Sequence, residues 1–157
     1  MSTQEEQYIH FANSMDSLNT AWRALKEIKK QKGNPLVGYA FQFALIEYSK
    51  PYKAAYGMAV KRHILPGKYI PKNHLELHKR IIKARDKFYA HLDLDIRDAK
   101  VYVQTTELGR NIIRSQNLID GTEEMKNIDD IISLIEGTLD AMREEAKKLG
   151  DDLPVNI

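Results

Sequence analysis

The sequence predicts an all-α fold, a four-helix bundle with room for a small β-hairpin before the last helix. Three observations predict it. Long segments carry apolar residues at alternating three- and four-residue steps. Gly, Pro and Asn signals separate those segments by short connections. Only residues 100–115 break the pattern, with the alternating, β-branched run KVYVQT followed by TELG and NIIR. At 157 residues the chain fits a single domain, residues 1–157, with enough length to bury one core.

The first helix is expected over about 3–32. Ser2 and Thr3 each have a glutamate three residues on, Glu5 and Glu6, which is the capping-box pattern. Its apolar seam is Tyr8, Phe11, Met15, Leu18, Trp22, Leu25 and Ile28. Lys26, Lys29, Lys30 and Lys32 crowd the end, where cations suit the helix dipole, and Gly33 stops it. Asn34-Pro35 restarts the chain as N-cap and first helical residue. Residues 36–48, LVGYAFQFALIEY, are apolar on most sides, so they read as a buried helix whose Tyr39, Phe41, Phe43 and Tyr48 belong to the core. Pro51 should kink or end it, with PYKAAYGMAVKRH continuing as a second, bent helical piece.

Residues 64–73 form a loop around Pro66-Gly67 and Pro71. Asn73 with Glu76 gives another capping box, opening a third helix over about 74–92. Asp120-Gly-Thr-Glu123 then caps a final helix of about 122–149. Its seam is Ile128, Ile131, Ile132, Ile135, Leu139, Met142, Ala146 and Leu149, and Gly150 ends it.

Composition removes several function classes. With no cysteine there is no disulfide framework, thiolate zinc site or cysteine nucleophile. The glycines are scattered, with no P-loop and no dinucleotide fingerprint. No apolar run approaches the roughly 20 residues needed to span a bilayer. The polar, acidic opening MSTQEEQYIHFANS is neither signal nor transit peptide, so a cytoplasmic location is expected. The formal net charge of +2 hides an asymmetry. Residues 61–90 hold nine Lys or Arg against Glu76 and Asp86, while residues 120–157 hold eleven Asp or Glu against four cations. The basic middle either faces a polyanion or is neutralised by the acidic tail within one fold.

One residue does not fit a plain core. On a helical wheel Ile81, Phe88, Tyr89, Ile82 and Leu92 all fall within about 60° of Arg85, which places that arginine at the centre of the apolar stripe. Left alone there it would cost several kcal/mol. It therefore needs an internal carboxylate, with the last helix the natural source, or a wet cleft, a second subunit or an anionic ligand. His74 and His78 lie on the same face at i,i+4, the spacing of two metal ligands on a helix, but no third ligand is evident and half-buried or surface histidines are the simpler account. No metal and no cofactor are expected.

The run Arg85-Asp86-Lys87-Phe88-Tyr89-Ala90-His91-Leu92-Asp93 resembles the signature of the HEPN superfamily, an arginine, four to six residues and a histidine. The form RDKxYAHxD is most similar to its abortive-infection-associated branch. The resemblance implies a HEPN-like bundle, a homodimer, and motifs from two subunits meeting in a cleft that cuts RNA without a metal. Arg85 and His91 would be the catalytic pair, with Asp86, Tyr89 and Asp93 supporting them and Arg80, Lys83 and Lys87 holding the RNA backbone. The chemistry is sound: the RNA 2′-hydroxyl attacks, His91 moves protons near neutral pH, and Arg85 stabilises charge on the phosphate. The expected function is thus a metal-independent endoribonuclease of toxin or phage-defence type, with RNA as substrate and an antitoxin or regulatory protein as a further partner. The alternative is a non-catalytic helical dimer that binds RNA or a protein. Asp86 stands where many nucleases of the superfamily have asparagine, and it would repel phosphate unless it pairs with a cation. Tyr52, Tyr56 and Tyr69 lie near the basic loop, in reach of an RNA strand.

Overall fold

The computed structural model describes residues 2–31, 33–89, 100–115 and 121–154, and side chains on the third helix as far as Asp86. Among these residues are four α-helices and one two-stranded hairpin. Helix α1 is Thr3–Ile28, α2 Val37–Ser49, α3 Leu75–Tyr89 and α4 Ile128–Asp151; strands β1 (Lys100–Thr106) and β2 (Gly109–Ser115) precede α4. No described helix is long and apolar enough to cross a membrane.

The capping box at the start of α1 forms as expected. Glu5 N donates to Ser2 Oγ at 3.2 Å, and Ser2 N donates to Glu5 Oε2 at 2.5 Å. Gly33 turns the chain at φ 82°, a conformation that costs glycine little. Asn34 Oδ1 then accepts from Leu36 N at 2.9 Å, a turn that delivers the chain into α2.

The core is built from Leu18, Ala21 and Leu25 of α1, Phe41, Ala44, Leu45 and Tyr48 of α2, Ile81 of α3, and Ile131, Leu134, Ile135 and Met142 of α4. Helix α1 packs on both α2 and α4, and α3 lies against α2. Phe11, Met15 and Trp22 flank the core. Trp22 stays partly wet because its Nε1 donates to Glu136 Oε1 at 2.8 Å. Helix α2 is less enclosed than its composition suggests: Leu36, Tyr39 and Phe43 are exposed, so only Phe41 and Tyr48 of its four aromatics are core. These three exposed residues follow helical spacing and form an apolar stripe on one side of α2.

Several segments differ from expectation. Asn34-Pro35 lie ahead of α2, whose N-cap is Leu36, residues 122–127 form a 3₁₀ turn rather than the start of α4, and Gly150 lies inside α4 rather than ending it. Residues 53–63 form no second helical piece. Ala55 and His63 exchange backbone hydrogen bonds of 3.0 and 2.8 Å, closing a hairpin-like loop instead. Asn73 does not cap α3; it sits inside a 3₁₀ turn, Lys72–His74, that runs straight into the helix. The loop before it reaches the core through Leu65, Tyr69 and Ile70. It closes on α4 at Gly137, where a Cβ would stand 2.7 Å from Pro71 Cγ.

The hairpin pairs Tyr102 with Ile113 and Val103 with Ile112, and every residue of both strands is exposed. It is joined to α4 through a 3₁₀ turn, Thr122–Asn127, entered at Gly121 with φ 81°.

Candidate functional site

The buried row of α3 runs through Leu77, Ile81 and Ala84, so the centre of the stripe lies roughly 70° from Arg85. This corrects the wheel: Arg85 is on the flank of the stripe, half-buried with a side chain 23% exposed, in the row shared with His78 and Ile82. Its NH1 donates to Asp86 Oδ1 at 3.1 Å. Asp86 in turn receives Lys53 Nζ at 2.7 Å, from the segment just after α2. Burial raises the Asp86 pKa, but hydrogen bonds from Lys53 and Arg85 outweigh it and hold the carboxyl below its usual range. Two cations therefore share the Asp86 carboxylate.

The kind of carboxylate pairing weighed for Arg85 is found five residues upstream. Arg80 Nε and NH2 donate to the Glu124 carboxylate at 2.8 and 3.4 Å. Burial raises the Glu124 pKa, and bonds from Arg80 and Asn127 overcome that and lower it. Arg80 thus ties α3 to the turn before α4, while its side chain remains half-exposed. Lys83 is exposed on the same helix. Basic middle and acidic tail do meet here, and Lys29 also pairs with Asp129.

Of the two histidines at i,i+4, His74 lies in the 3₁₀ turn before α3 and His78 on the helix itself. His78 is half-buried, and its Nδ1 lies 2.7 Å from Tyr48 OH. Burial lowers its pKa and raises those of Tyr48 and Tyr52, the latter to about 12. His78 is thus committed to a tyrosine of α2. Tyr52 packs edge-on against His78 with ring centroids 4.6 Å apart. Tyr69 is buried against Phe11, and of the three loop tyrosines Tyr56 is the exposed one.

A second cluster escaped the sequence reading. Glu6, on the first turns of α1, is 1% exposed. Its carboxylate accepts Met58 N and Ala59 N at 3.0 and 2.7 Å on Oε2. Val60 N and His63 Nε2 meet Oε1 at 3.0 and 2.9 Å. Those bonds, led by Ala59 N, hold its pKa down to about 2. Gly57 leaves the necessary room, since a Cβ there would stand 1.7 Å from Glu6 Oε1. His10, one turn along α1, stacks on His63 with centroids 3.7 Å apart and planes 15° from parallel. Burial and His63 push its pKa down. Both rings line a cavity of about 370 Å³ that also meets Lys53, Lys68 and Glu145. The signal was the i,i+4 spacing of Glu6 and His10, the same spacing noticed at His74 and His78.

No protein-family model, no curated protein and no solved structure matches this chain. The site is therefore argued from its own geometry. Of the residues singled out by the sequence, Arg85 and Asp86 are in contact, Arg80 is held by Glu124, and Lys83 stands apart on the exposed side. His91 and Asp93 lie outside the described residues, as do the side chains of Lys87 and Tyr89.

Proposed function

We propose that this chain is a HEPN-type helical protein that acts as a homodimer and cuts RNA without a metal, as toxin or phage-defence ribonucleases do. Its catalytic residues are Arg85 and His91. The observation that carries the reading is the Lys53–Asp86–Arg85 cluster. An aspartate beside the catalytic arginine would repel phosphate if left bare. Here it bonds to Lys53 and Arg85, so its charge is offset and the adjacent half-buried guanidinium is held where a phosphodiester can meet it. Asp86 then acts as a holder that orients Arg85, and Lys53 joins Lys83, Lys87 and Arg80 as a cation near the strand. Arg85 and Asp86 lie on the third long helix of a helical bundle, which is consistent with the arrangement the resemblance implies. The exposed stripe Leu36, Tyr39 and Phe43 on α2 suits contact with a second copy.

The test is cleavage of single-stranded RNA by purified protein in EDTA. Arg85→Ala and His91→Ala should each lower the rate by about 10²-fold or more, with circular dichroism unchanged. Full activity in the His91→Ala protein would overturn the reading.

A second reading is favoured by the hairpin, which exposes Val101, Tyr102, Val103, Ile112 and Ile113 on its two faces. Such a ribbon suits capture of a protein partner, an antitoxin or regulator, by a dimer that binds without cutting. That reading expects RNA or partner binding that survives His91→Ala, with RNA affinity falling steeply as salt rises.

A further inference from the structure

Beyond the RNA-directed motif, we infer that Glu6, His10 and His63 form a binding site for a divalent transition metal of the zinc class. The three side chains each offer one ligand atom, and these atoms lie within 4.8 Å of one another. Two imidazole nitrogens and one carboxylate oxygen are a donor set that suits zinc and its neighbours rather than calcium or magnesium. Ligand atoms around a tetrahedral zinc stand about 3.3 Å apart, so to take an ion the triad tightens and His10 turns out of its stack on His63 until its ring nitrogen faces the metal.

The pair at its centre shows how the ion enters. His63 Nε2 and Glu6 Oε1 are 2.9 Å apart and share a proton. A metal at Nε2 takes the place of that hydrogen, and the neutral ring then binds as the tautomer that carries its hydrogen on Nδ1. The backbone N–H groups of Met58, Ala59 and Val60 remain on the carboxylate and fix its direction, the role outer hydrogen bonds play in built metal sites. His10, one turn along α1 from Glu6, supplies the third ligand. Both histidines line the 370 Å³ cavity, so the remaining coordination position opens onto it, where water or a small anionic ligand beside Lys68 completes the shell. Bound there, the ion clamps the 53–63 loop to α1.

The experiment uses the full chain, stripped with chelator and titrated with zinc chloride. Metal bound per chain is read by elemental analysis, and the melting temperature by circular dichroism. One equivalent should bind, and the melting temperature should rise with metal concentration. Cobalt(II) in its place should give the visible absorption of a low-symmetry, four- or five-coordinate site. His10→Ala leaves the Glu6–His63 bond and the loop cradle intact, so it should fold and yet bind metal more than about tenfold more weakly. Absence of binding by the folded, stripped protein overturns the site. Equal binding by wild type and His10→Ala does so as well, since the metal would then sit elsewhere, as at His74 and His78. RNA cleavage is not the readout, so this site and the ribonuclease reading fail separately.

Discussion

Glu6 and Asp86 are both carboxylates whose pKa values are lowered by neighbours, yet their surroundings differ in kind. Glu6 is buried and answered mainly by fixed backbone N–H groups of one loop. Asp86 is exposed and answered by two cationic side chains from two segments. A backbone donor cannot move away without unfolding the loop, whereas the Lys53 ammonium, on a flexible stem, can leave Asp86 with the fold intact. The first arrangement holds a structure together. The second sets two cations beside a carboxylate at the surface.

The largest expected effect comes from crowding the closed site. Gly57→Ala sets a methyl against the Glu6 carboxylate and should destabilise the fold by about 1–3 kcal/mol in urea unfolding. Little or no loss would mean that the cradle is looser than its contacts indicate. Next comes Arg80→Ala, which strips a charged partner from the nearly buried Glu124. With Arg80 half-exposed, a loss of about 1–2 kcal/mol is expected, with the connection between α3 and the turn before α4 loosened as seen by hydrogen exchange.

Acid separates the two carboxylates further. The folded-state pKa of Glu6 is about 2 against an ordinary 4.5, so its contribution is present in full above the unfolded value and is lost as pH falls from 4.5 toward 2. Glu6→Gln should therefore flatten stability against pH across that window, relative to wild type. Asp86→Asn should leave the same limb nearly unchanged, because its charges are solvent-screened. A matching flattening in both variants would erase the contrast. The smallest effect is on Asp86 itself: Asp86→Asn should alter stability by less than about 0.5 kcal/mol. It should also tighten single-stranded RNA binding at low salt, because it removes one negative charge beside Arg85 and Lys53.

Local signals wrote much of the fold into the sequence. The Ser2–Glu5 box, the Gly33 turn, the α1 seam through Leu18 and Leu25 and the 100–115 hairpin all rest on contacts a few residues apart or on simple periodicity. The failures are tertiary. Residues 53–63 have reasonable helical content, but Glu6 takes the N–H groups of 58–60 and Gly57 permits the approach, so the helix loses its donors. Tyr39 and Phe43 look like core because α2 is apolar all round, yet which face meets α1 and α3 is not written in α2 itself. Arg85 was misplaced on the wheel because Phe88, Tyr89 and Leu92 drew the stripe toward the helix end, whereas Leu77 and Ala84 define its buried line. The Arg85–Asp86 half of the motif was legible as adjacent residues; Lys53, 33 positions away, was not.

The bonds from Met58, Ala59 and Val60 to Glu6 span 52 to 54 residues. During synthesis the opening turns of α1 leave the ribosome long before their acceptor finds its donors. Trimming α1 by two turns would strand those three amides, and the damage would register some fifty positions downstream of the cut rather than beside it.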